Sequence, residues 1–354
     1  MSEPAIHLPA SARRKSRLAL RWLAFPVGLA LAATLLAACG GGGGDDAITL
    51  YNGQHPQLTQ ALVDAFSKQT GITVRVRTDD GIVLADELLQ EGSSSPADVY
   101  LTENSPELMV LSEHHLLAKL PASVTGQIPA GYNSPSGSWA GVALRVSALA
   151  YDPSLVSAAE LPTTLLAFAQ PKWKGKLAVA PTDSDFVPLV GAVTAVYGTA
   201  RARAWLAGLK ANAALYQDDE AVAAAVDRGQ ADVGIVNQYY WYRLRLEVGR
   251  GNIHSRLYYF PNRDVGSIEN ISGAAVLASS QHKTDAEKFV SFLVSAQAQR
   301  ILAASDDYEY PARQGVTANP VLPPLTQVDP AVLSVVRLGD DQRAALLVQQ
   351  SGLT

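Results

Sequence analysis

The stretch ITLYNGQHPQLTQALVDAFSKQTGITVRVR, residues 48–77, decides the fold class. Residues 48–51 are apolar enough for a short buried strand, and apolar side chains then recur at helical spacing over residues 58–66. Gly71 is a typical helix stop, and residues 73–77 alternate as a strand does. A strand, a helix and a strand in this order predict a parallel pair of strands in an α/β protein.

The same alternation continues along the chain after this first unit. The predicted strands cover residues 97–101, 142–151, 177–180, 214–216, 232–236 and 273–278. The predicted helices cover residues 83–90, 186–197, 200–209, 220–228, 285–293 and 296–303, with a last helix after the proline-rich stretch 320–330. A chain of this length exceeds one core of roughly 100–200 residues, so two α/β lobes are expected.

The N-terminus has the pattern of an export signal. A basic segment with Arg13, Arg14 and Lys15 precedes the apolar run 22–38, which ends in Leu-Ala-Ala-Cys at Cys39. A membrane-spanning helix needs about 20 unbroken apolar residues, and this run is shorter. The segment resembles a bacterial lipoprotein signal peptide over residues 1–38, with Cys39 as the lipid-bearing residue. The glycine-rich residues 39–46 then predict a flexible tether.

Composition excludes several classes of protein. Cys39 is the only cysteine, so no disulfide holds the chain together and the core must do so. The formal net charge is −5, which gives no basic surface for nucleic acid. We therefore expect no nucleic-acid partner, and contact with a membrane through the lipid anchor alone.

Polar side chains follow three of the predicted strands at the point where each strand ends. His55 follows the first strand, Glu103 follows the third, and Tyr239 and Tyr240 follow residues 232–236. Ligands of α/β proteins bind beyond the carboxyl ends of the strands. For the tyrosine pair, core packing is an alternative, because adjacent helical residues do not share a face. An imidazole, a carboxylate and two phenols would converge if the two lobes faced each other across a cleft.

These motifs resemble those of bacterial periplasmic ferric-iron-binding proteins, the solute-binding components of iron ABC transporters, which are structurally akin to one lobe of transferrin. The resemblance covers about residues 48–304. Its motifs are ITLYNGQH (48–55), EGSSSPADVYLTEN (91–104), LPAS (120–123), PKWKGKLAVAPT (171–182), NQYYWYRL (237–244), SRLYYF (255–260) and SGAAVLASSQHK (272–283).

The resemblance implies an iron site. In the family a His, a Glu and two adjacent Tyr bind the metal, and the matching positions are His55, Glu103, Tyr239 and Tyr240. Fe(III) is a hard ion that suits oxygen ligands and an imidazole. Two phenolates and a carboxylate balance its three charges. Ionising a free tyrosine at pH 7 costs roughly 4 kcal/mol, which the metal must supply.

The resemblance also implies an architecture and a role. The expected fold is an α/β, two-lobed periplasmic-binding-protein fold of type II, with mixed sheets flanked by helices and a hinge between the lobes. Lobe one would comprise residues 47–147 plus 272–322, and lobe two residues 148–271 plus 323–354. The expected protein is a non-enzymatic monomer at the periplasm or cell surface that delivers Fe(III) to a permease and ATPase complex.

The sequence departs from the family where a Ser-Gly-Ala turn and asparagines hold a phosphate. Here the turn reads Asp183, Ser184 and Asp185, and Asp219 replaces an asparagine, although Asn237 remains. Carboxylates at a helix start repel an incoming anion. Asp185 has two interpretations: it caps the helix that follows, or it acts directly at iron.

The open iron positions therefore predict water, an aspartate or an incoming chelator in place of phosphate. Of two family arginines near the hinge, Arg145 survives and Ser147 occupies the other place. Two other functions stay open: a binding protein of the same fold for an oxyanion, a polyamine or thiamine, and a secreted metallohydrolase. Glu113, His114 and His115 lack the second ligand of a helical zinc motif, so a polar helix end is predicted there.

Overall fold

A computed structural model describes residues 47–339 and 342–354. The predicted signal peptide 1–38, Cys39 and the tether up to residue 46 lie outside the described residues. Within the described ranges, no helix is both long and apolar enough to cross a membrane.

The described chain alternates strands and helices, with single helical turns between some of them. The strands are β1 (Ala47–Gly53), β2 (Thr73–Thr78), β3 (Val99–Thr102), β4 (Trp139–Tyr151), β5 (Leu177–Val179), β6 (Ala213–Leu215), β7 (Val233–Asn237), β8 (Arg256–Tyr258), β9 (Glu269–Val276) and β10 (Tyr310–Pro311). The helices are α1 (Pro56–Thr70), α2 (Gly81–Glu91), α3 (Ser105–Glu113), α4 (Ala122–Thr125), α5 (Phe186–Tyr197), α6 (Thr199–Asn212), α7 (Asp219–Asp227), α8 (Gln238–Val248), α9 (Lys283–Leu293), α10 (Ala296–Ala304), α11 (Leu325–Val328), α12 (Val335–Leu338) and α13 (Gln342–Ser351).

The strands form one mixed sheet in the order β2-β1-β3-β9-β4-β7-β5-β6. Pairs at the two ends of the sheet are parallel, as in β1 with β2 and β3, or β5 with β6 and β7. The central pairs β3–β9, β9–β4 and β4–β7 are antiparallel. The alternation of strands and helices alone predicts parallel strand pairs. This prediction is wrong at the centre of the sheet, because antiparallel neighbours need no crossover helix between them.

Strand β4 joins the two halves of the sheet. Its first part pairs with β9, up to Val146 opposite Glu269. From Ser147 onward it pairs with β7, and from Leu149 also with β8. All thirteen of its residues are buried. One strand therefore carries the chain from one half of the sheet into the other.

Two clusters of buried apolar side chains pack against the sheet. The first surrounds β1, β3 and β9 and includes Leu50, Phe66 and Phe289; the second surrounds β5 and includes Phe168 and Trp205. The first cluster also contains residues of α7 and α8, so it extends past the middle of the sheet. The predicted lobe boundaries, 47–147 plus 272–322 and 148–271 plus 323–354, stay predictions.

Several predicted elements need correction. The predicted strand at 273–278 begins four residues earlier, at Glu269, and the one at 142–151 begins at Trp139. Helix α3 was not predicted because its residues are buried on most sides and show little periodicity. The region from residue 320 contains the short helices α11 and α12 as well as the last helix α13.

Helix α7 lies directly on β7, and Gly234 allows this close approach. A Cβ at Gly234 would collide with Val222 Cγ1 and come within 2.9 Å of Val226 Cγ2. We expect Gly234→Ala to lower the free energy of unfolding by about 1–3 kcal/mol, because overpacking displaces the helix. Urea denaturation measures this change in the free energy of unfolding. Gly251→Ala is the control, since a Cβ there has no neighbour within 4 Å. Equal stability of both variants would contradict this packing.

Candidate metal-binding site

The four predicted ligands lie at the carboxyl ends of three strands. His55 follows β1 and is the N-cap residue of α1, where Pro56 starts the helix. Glu103 directly follows β3. Tyr239 and Tyr240 lie in the first turn of α8, which begins immediately after β7. The strand ends therefore position the side chains as the sequence predicted.

Three of these side chains are in direct contact. His55 Nδ1 lies 3.2 Å from Glu103 Oε1. The Tyr239 hydroxyl donates a hydrogen bond to Glu103 Oε2 at 3.4 Å. The His55 and Tyr239 rings meet edge to face, with centroids 4.9 Å apart. An imidazole, a carboxylate and a phenol from different strands thus form one cluster.

Tyr240 lies beside this cluster and borders a solvent cleft. Its ring is 4.1 Å from the Tyr239 ring, at an interplanar angle of 32°. Tyr239 is fully buried, whereas Tyr240 lines a cleft of about 370 Å³ together with His55, Glu103 and Asp183. The two rings therefore lie against each other, with Tyr239 inside the protein and Tyr240 at the wall of the cleft.

A buried arginine holds the carboxylates of the site. Arg145, on β4, has no exposed surface. Its Nη2 donates to Asp185 Oδ1 at 2.8 Å and to Asn104 Oδ1 at 2.6 Å, and it lies 3.9 Å from Glu103 Oε2. Its Nη1 lies 3.6 Å from Glu309 Oε1. The guanidinium thus contacts groups from both halves of the sheet.

Asp185 makes no capping hydrogen bond with its side chain, although it is the N-cap residue of α5. Its Oδ1 accepts from Arg145, and its Oδ2 accepts from the Tyr239 hydroxyl at 2.8 Å. The capping interpretation of Asp185 is therefore wrong. The buried guanidinium carries a full positive charge, so its ion pair with the carboxylate is stronger than a hydrogen bond from a neutral helix N–H group.

Asp183 and Asp219 accept hydrogen bonds from backbone N–H groups. Asp183 Oδ1 accepts from the N–H of Asp185, and its Oδ2 accepts from that of Asp219, both at 2.9 Å. Asp219 Oδ2 accepts from the N–H of Asn237 at 2.9 Å. Ligand oxygens of the three aspartates lie within 4.8 Å of one another. Aspartate side chains therefore occupy the turn that holds a phosphate in the ferric-iron-binding family described above.

The remaining predicted residues lie around this turn. Ser147 Oγ donates to Asn237 Oδ1 at 3.2 Å, while Asn237 Nδ2 has no hydrogen-bond partner among the described residues. Both residues line a small pocket of about 10 Å³ beside Asp185, roughly the space that one water molecule needs. Ser184 lines the larger cleft.

Two residues of the site were not predicted. Gln54 Oε1 accepts from the backbone N–H of His55 at 2.7 Å, and its Nε2 donates to Glu309 Oε2 at 3.1 Å. Gln54 precedes a predicted ligand, so its position was a usable signal. Glu309 is fully buried and comes from a loop far along the chain, for which the sequence offers no signal. Glu113, His114 and His115 are exposed at the end of α3, as predicted.

Burial shifts the pKa values of several side chains in the site. It raises the pKa of Glu103 to about 8, and that of Asp183 and Glu309 each to about 7. It raises the pKa of Tyr239 and Tyr240 well above the ordinary tyrosine value, and the Asp185 carboxylate adds to both shifts. Burial also lowers the pKa of His55. Without a cation, the site therefore favours neutral side chains.

The sequence pattern of the bacterial extracellular solute-binding proteins matches residues 94–330. This chain belongs to that family. The solute-binding protein is 37% identical to the Fe(3+)-binding periplasmic protein of Serratia marcescens, over 93% of this chain and 97% of that one. It is also 37% identical to the major ferric iron-binding protein of Neisseria meningitidis serogroup B, over 92% and 98% of the two chains.

A solved protein structure is also similar to this solute-binding protein in sequence and in fold. Iron-bound HitA from Pseudomonas aeruginosa is 39% identical and superposes with a TM-score of 0.82, over 86% of this chain and 99% of that one. The predicted family and the predicted fold, a mixed α/β sheet flanked by helices as in periplasmic binding proteins, are confirmed.

We expect the metal-free protein to lose stability between pH 5 and pH 8. The folded-state pKa values of Glu103, Asp183 and Glu309 are raised to about 7–8. In this window the folded state binds more protons than the unfolded state, so the free energy of unfolding falls as pH rises. The stabilisation is complete below the unfolded-state values, near 4. Urea denaturation in chelator-treated buffers measures this slope.

A matched pair of variants tests the cause of that slope. Asp183→Asn removes one titrating group, so its stability should fall less between pH 5 and pH 8 than that of the wild type. Its stability at pH 5 should be lower, because the amide NH2 cannot accept the second of the two backbone N–H bonds that Asp183 accepts. Asp64→Asn, on the exposed face of α1, is the control. A wild-type stability that is flat or rises across this window would contradict the assignment.

Proposed function

We propose that this protein binds ferric iron as its cargo through His55, Glu103, Tyr239 and Tyr240. One observation carries the proposal: two adjacent phenols, a carboxylate and an imidazole lie together at the ends of β1, β3 and β7, beside a solvent cleft. Tyr239 follows β7 and Glu103 follows β3, so their contact joins residues from two different strand ends.

The protonation of the tyrosines favours Fe(III) over other ions. The Tyr239 hydroxyl lies between the carboxyl groups of Asp185 and Glu103, which makes loss of its proton unfavourable until a strong cation arrives. Ca²⁺ and Mg²⁺ prefer carboxylate, carbonyl and water ligands, and Zn²⁺ prefers Cys and His. A trivalent ion offsets the free-energy cost of ionising two tyrosines, so the site selects metal ions by their charge.

The iron-binding names of the two relatives and of HitA support this proposal. We infer a periplasmic or cell-surface binding protein, not an enzyme, that closes over the metal by a hinge motion and delivers it to the permease and ATPase of an ABC transporter. The antiparallel strands β4 and β9 connect the halves of the sheet and are the proposed hinge. We further propose that it acts as a monomer.

We expect Tyr239→Phe and Tyr240→Phe each to reduce ferric affinity at least about a hundredfold, or about 2.7 kcal/mol, and to lose most of the visible phenolate-to-iron band. Phe keeps the ring and cannot become an anionic ligand. Absorbance titration of apo protein against a competing chelator measures both. Tyr242→Phe is the control, because this buried tyrosine of the same helix packs against Trp241 and Tyr308 instead.

His55→Ala should weaken binding less than either tyrosine variant, since a neutral ligand offsets less of the ion's charge. Wild-type protein that gives no visible band with ferric salts would contradict iron binding itself. Wild-type affinity in both phenylalanine variants would contradict the ligand assignment alone.

We also propose that Cys39 carries a lipid that anchors the protein to a bacterial membrane. The basis is the Leu-Ala-Ala-Cys sequence at the end of the apolar run. Cys39→Ser should leave an unlipidated protein, either retained as precursor or released in soluble form. Fractionation of membranes followed by immunoblotting measures this. Unchanged membrane association of the variant would refute the anchor.

A further inference from the structure

We infer that Gln54 is a positioning residue that sets the tautomer of His55 and thereby presents Nε2 of this imidazole to the ferric ion. The inference rests on the proposed function, because His55 is one of the four proposed iron ligands. Gln54 would not bind the metal. It would act through the hydrogen bond that its amide oxygen makes with the other ring nitrogen of His55.

The side-chain amide of Gln54 has one orientation that satisfies its neighbours. Its Nε2 lies 3.0 Å from Ser272 Oγ and 3.1 Å from Glu309 Oε2. Ser272 Oγ donates its own hydrogen to the carbonyl oxygen of Thr102 at 2.7 Å, so it can only accept from the amide. The NH2 group of Gln54 therefore points toward Ser272 and Glu309, and Oε1 points toward His55.

The backbone of His55 gives an independent reason for this orientation. Its N–H donates to Gln54 Oε1 at 2.7 Å. Exchange of the amide oxygen and nitrogen would place the NH2 group against this N–H, so that two donors would face each other. Both residues are buried, with exposed fractions of 2% for Gln54 and 7% for His55. Buried donors need acceptors, so the amide oxygen must face His55.

The amide oxygen of Gln54 decides which nitrogen of the imidazole carries the proton. His55 Nδ1 lies 2.5 Å from Gln54 Oε1 and 3.2 Å from Glu103 Oε1. An amide oxygen is only an acceptor, so Nδ1 must be the donor, and the other nitrogen of a neutral imidazole is then an acceptor. Nε2 makes no hydrogen bond within the part of the chain that the structure describes. Its lone pair is therefore available to a metal.

The backbone of Gln54 is fixed together with its side chain. Asn52 Nδ2 donates to the carbonyl oxygen of Gln54 at 2.7 Å, and the N–H of Gln54 donates to Asn52 Oδ1 at 3.2 Å. Asn52 Oδ1 also accepts from Thr59 Oγ1, on α1, at 2.8 Å. The turn between β1 and α1 thus holds Gln54 in place. A hydrogen bond to the far nitrogen of a metal-binding imidazole orients the ring and makes it a stronger ligand.

The test is a double-mutant cycle on ferric affinity, measured by absorbance against nitrilotriacetate as the competing chelator. Methionine has a similar length to glutamine and lacks the amide. We expect Gln54→Met to bind Fe(III) at least about tenfold more weakly than the wild type, or about 1.4 kcal/mol. In the His55→Ala background the same substitution should change ferric affinity less than about twofold, since the cycle isolates the coupling of the two side chains.

Gln299→Met is the matched control, because Gln299 is another fully buried glutamine with a similar set of hydrogen bonds. Its Nε2 donates to the carbonyl oxygens of Val142 and Leu293, and its Oε1 accepts from the N–H of Arg313. None of these partners is a proposed iron ligand. This variant should lose stability in urea and keep the ferric affinity of the wild type. An equal loss of ferric affinity in both glutamine variants would contradict the specific role of Gln54.

A measurement on the wild type tests the tautomer without any need for the glutamine variants to fold. Protein with isotopically labelled histidine, loaded with the diamagnetic trivalent ion Ga(III), gives proton–nitrogen correlation spectra in which protonated and metal-bound ring nitrogens differ. The spectrum of His55→Ala identifies the signals of His55. We expect a proton on Nδ1 and the metal on Nε2. Metal on Nδ1 would overturn the inference, because that nitrogen could then not donate to Gln54.

Two affinity results would also overturn the inference and leave the proposed function intact. One is wild-type ferric affinity in Gln54→Met that is folded by circular dichroism. The other is an equal loss of affinity from this substitution in the wild type and in His55→Ala, which would mean that Gln54 does not act through the imidazole. In both cases the wild type still shows the phenolate-to-iron band. Absence of that band would instead refute the proposed function.

Discussion

The guanidinium of Arg145 is the group on which the arrangement of the site depends. It lies on β4 with no exposed surface, next to the point where this strand exchanges β9 for β7 as its partner. Burying an unpaired charge costs several kcal/mol, so the fold is stable only if carboxylates converge on it. Asp185 comes from one half of the sheet, and Glu103 and Glu309 come from the other.

This convergence leaves the site with more acids than bases. Burial and mutual repulsion raise the pKa of Glu103 and Asp183, so the metal-free site retains protons near neutral pH. Two nitrogens of Arg145, Nε and Nη1, have no hydrogen-bond partner among the described residues. Ionised carboxylates are the acceptors that these donors lack. A cation of high charge binds carboxylates better than neutral carboxyl groups, so it would displace these protons, and affinity for the ion would depend on pH.

The sequence predicted those parts of the site that local rules determine. The strand ends could be located, and with them His55, Glu103 and the tyrosine pair, because ligands of α/β proteins bind beyond the carboxyl ends of strands. The structure adds that β1 and β3 run antiparallel to β7, so that these ends point toward each other near the middle of β4. The pairing of Arg145 with Asp185 could not be predicted, since the helix-capping rule gave Asp185 an adequate local partner. Gln54 and Glu309 make their contacts with distant segments of the chain, which local sequence patterns do not reveal. The antiparallel pairing at the centre of the sheet likewise leaves no periodic pattern in the sequence.

The division of the proposed ligands between the halves of the sheet bears on how a bound ion would leave. His55 and Glu103 follow β1 and β3, whereas the tyrosine pair follows β7. Separation of the halves at β4 and β9 would leave one carboxylate on the first side and two phenolates on the second. The ion would stay with the tyrosines. Complete release then requires protons to return to the phenolates, and their raised pKa values favour that return once the cation is withdrawn.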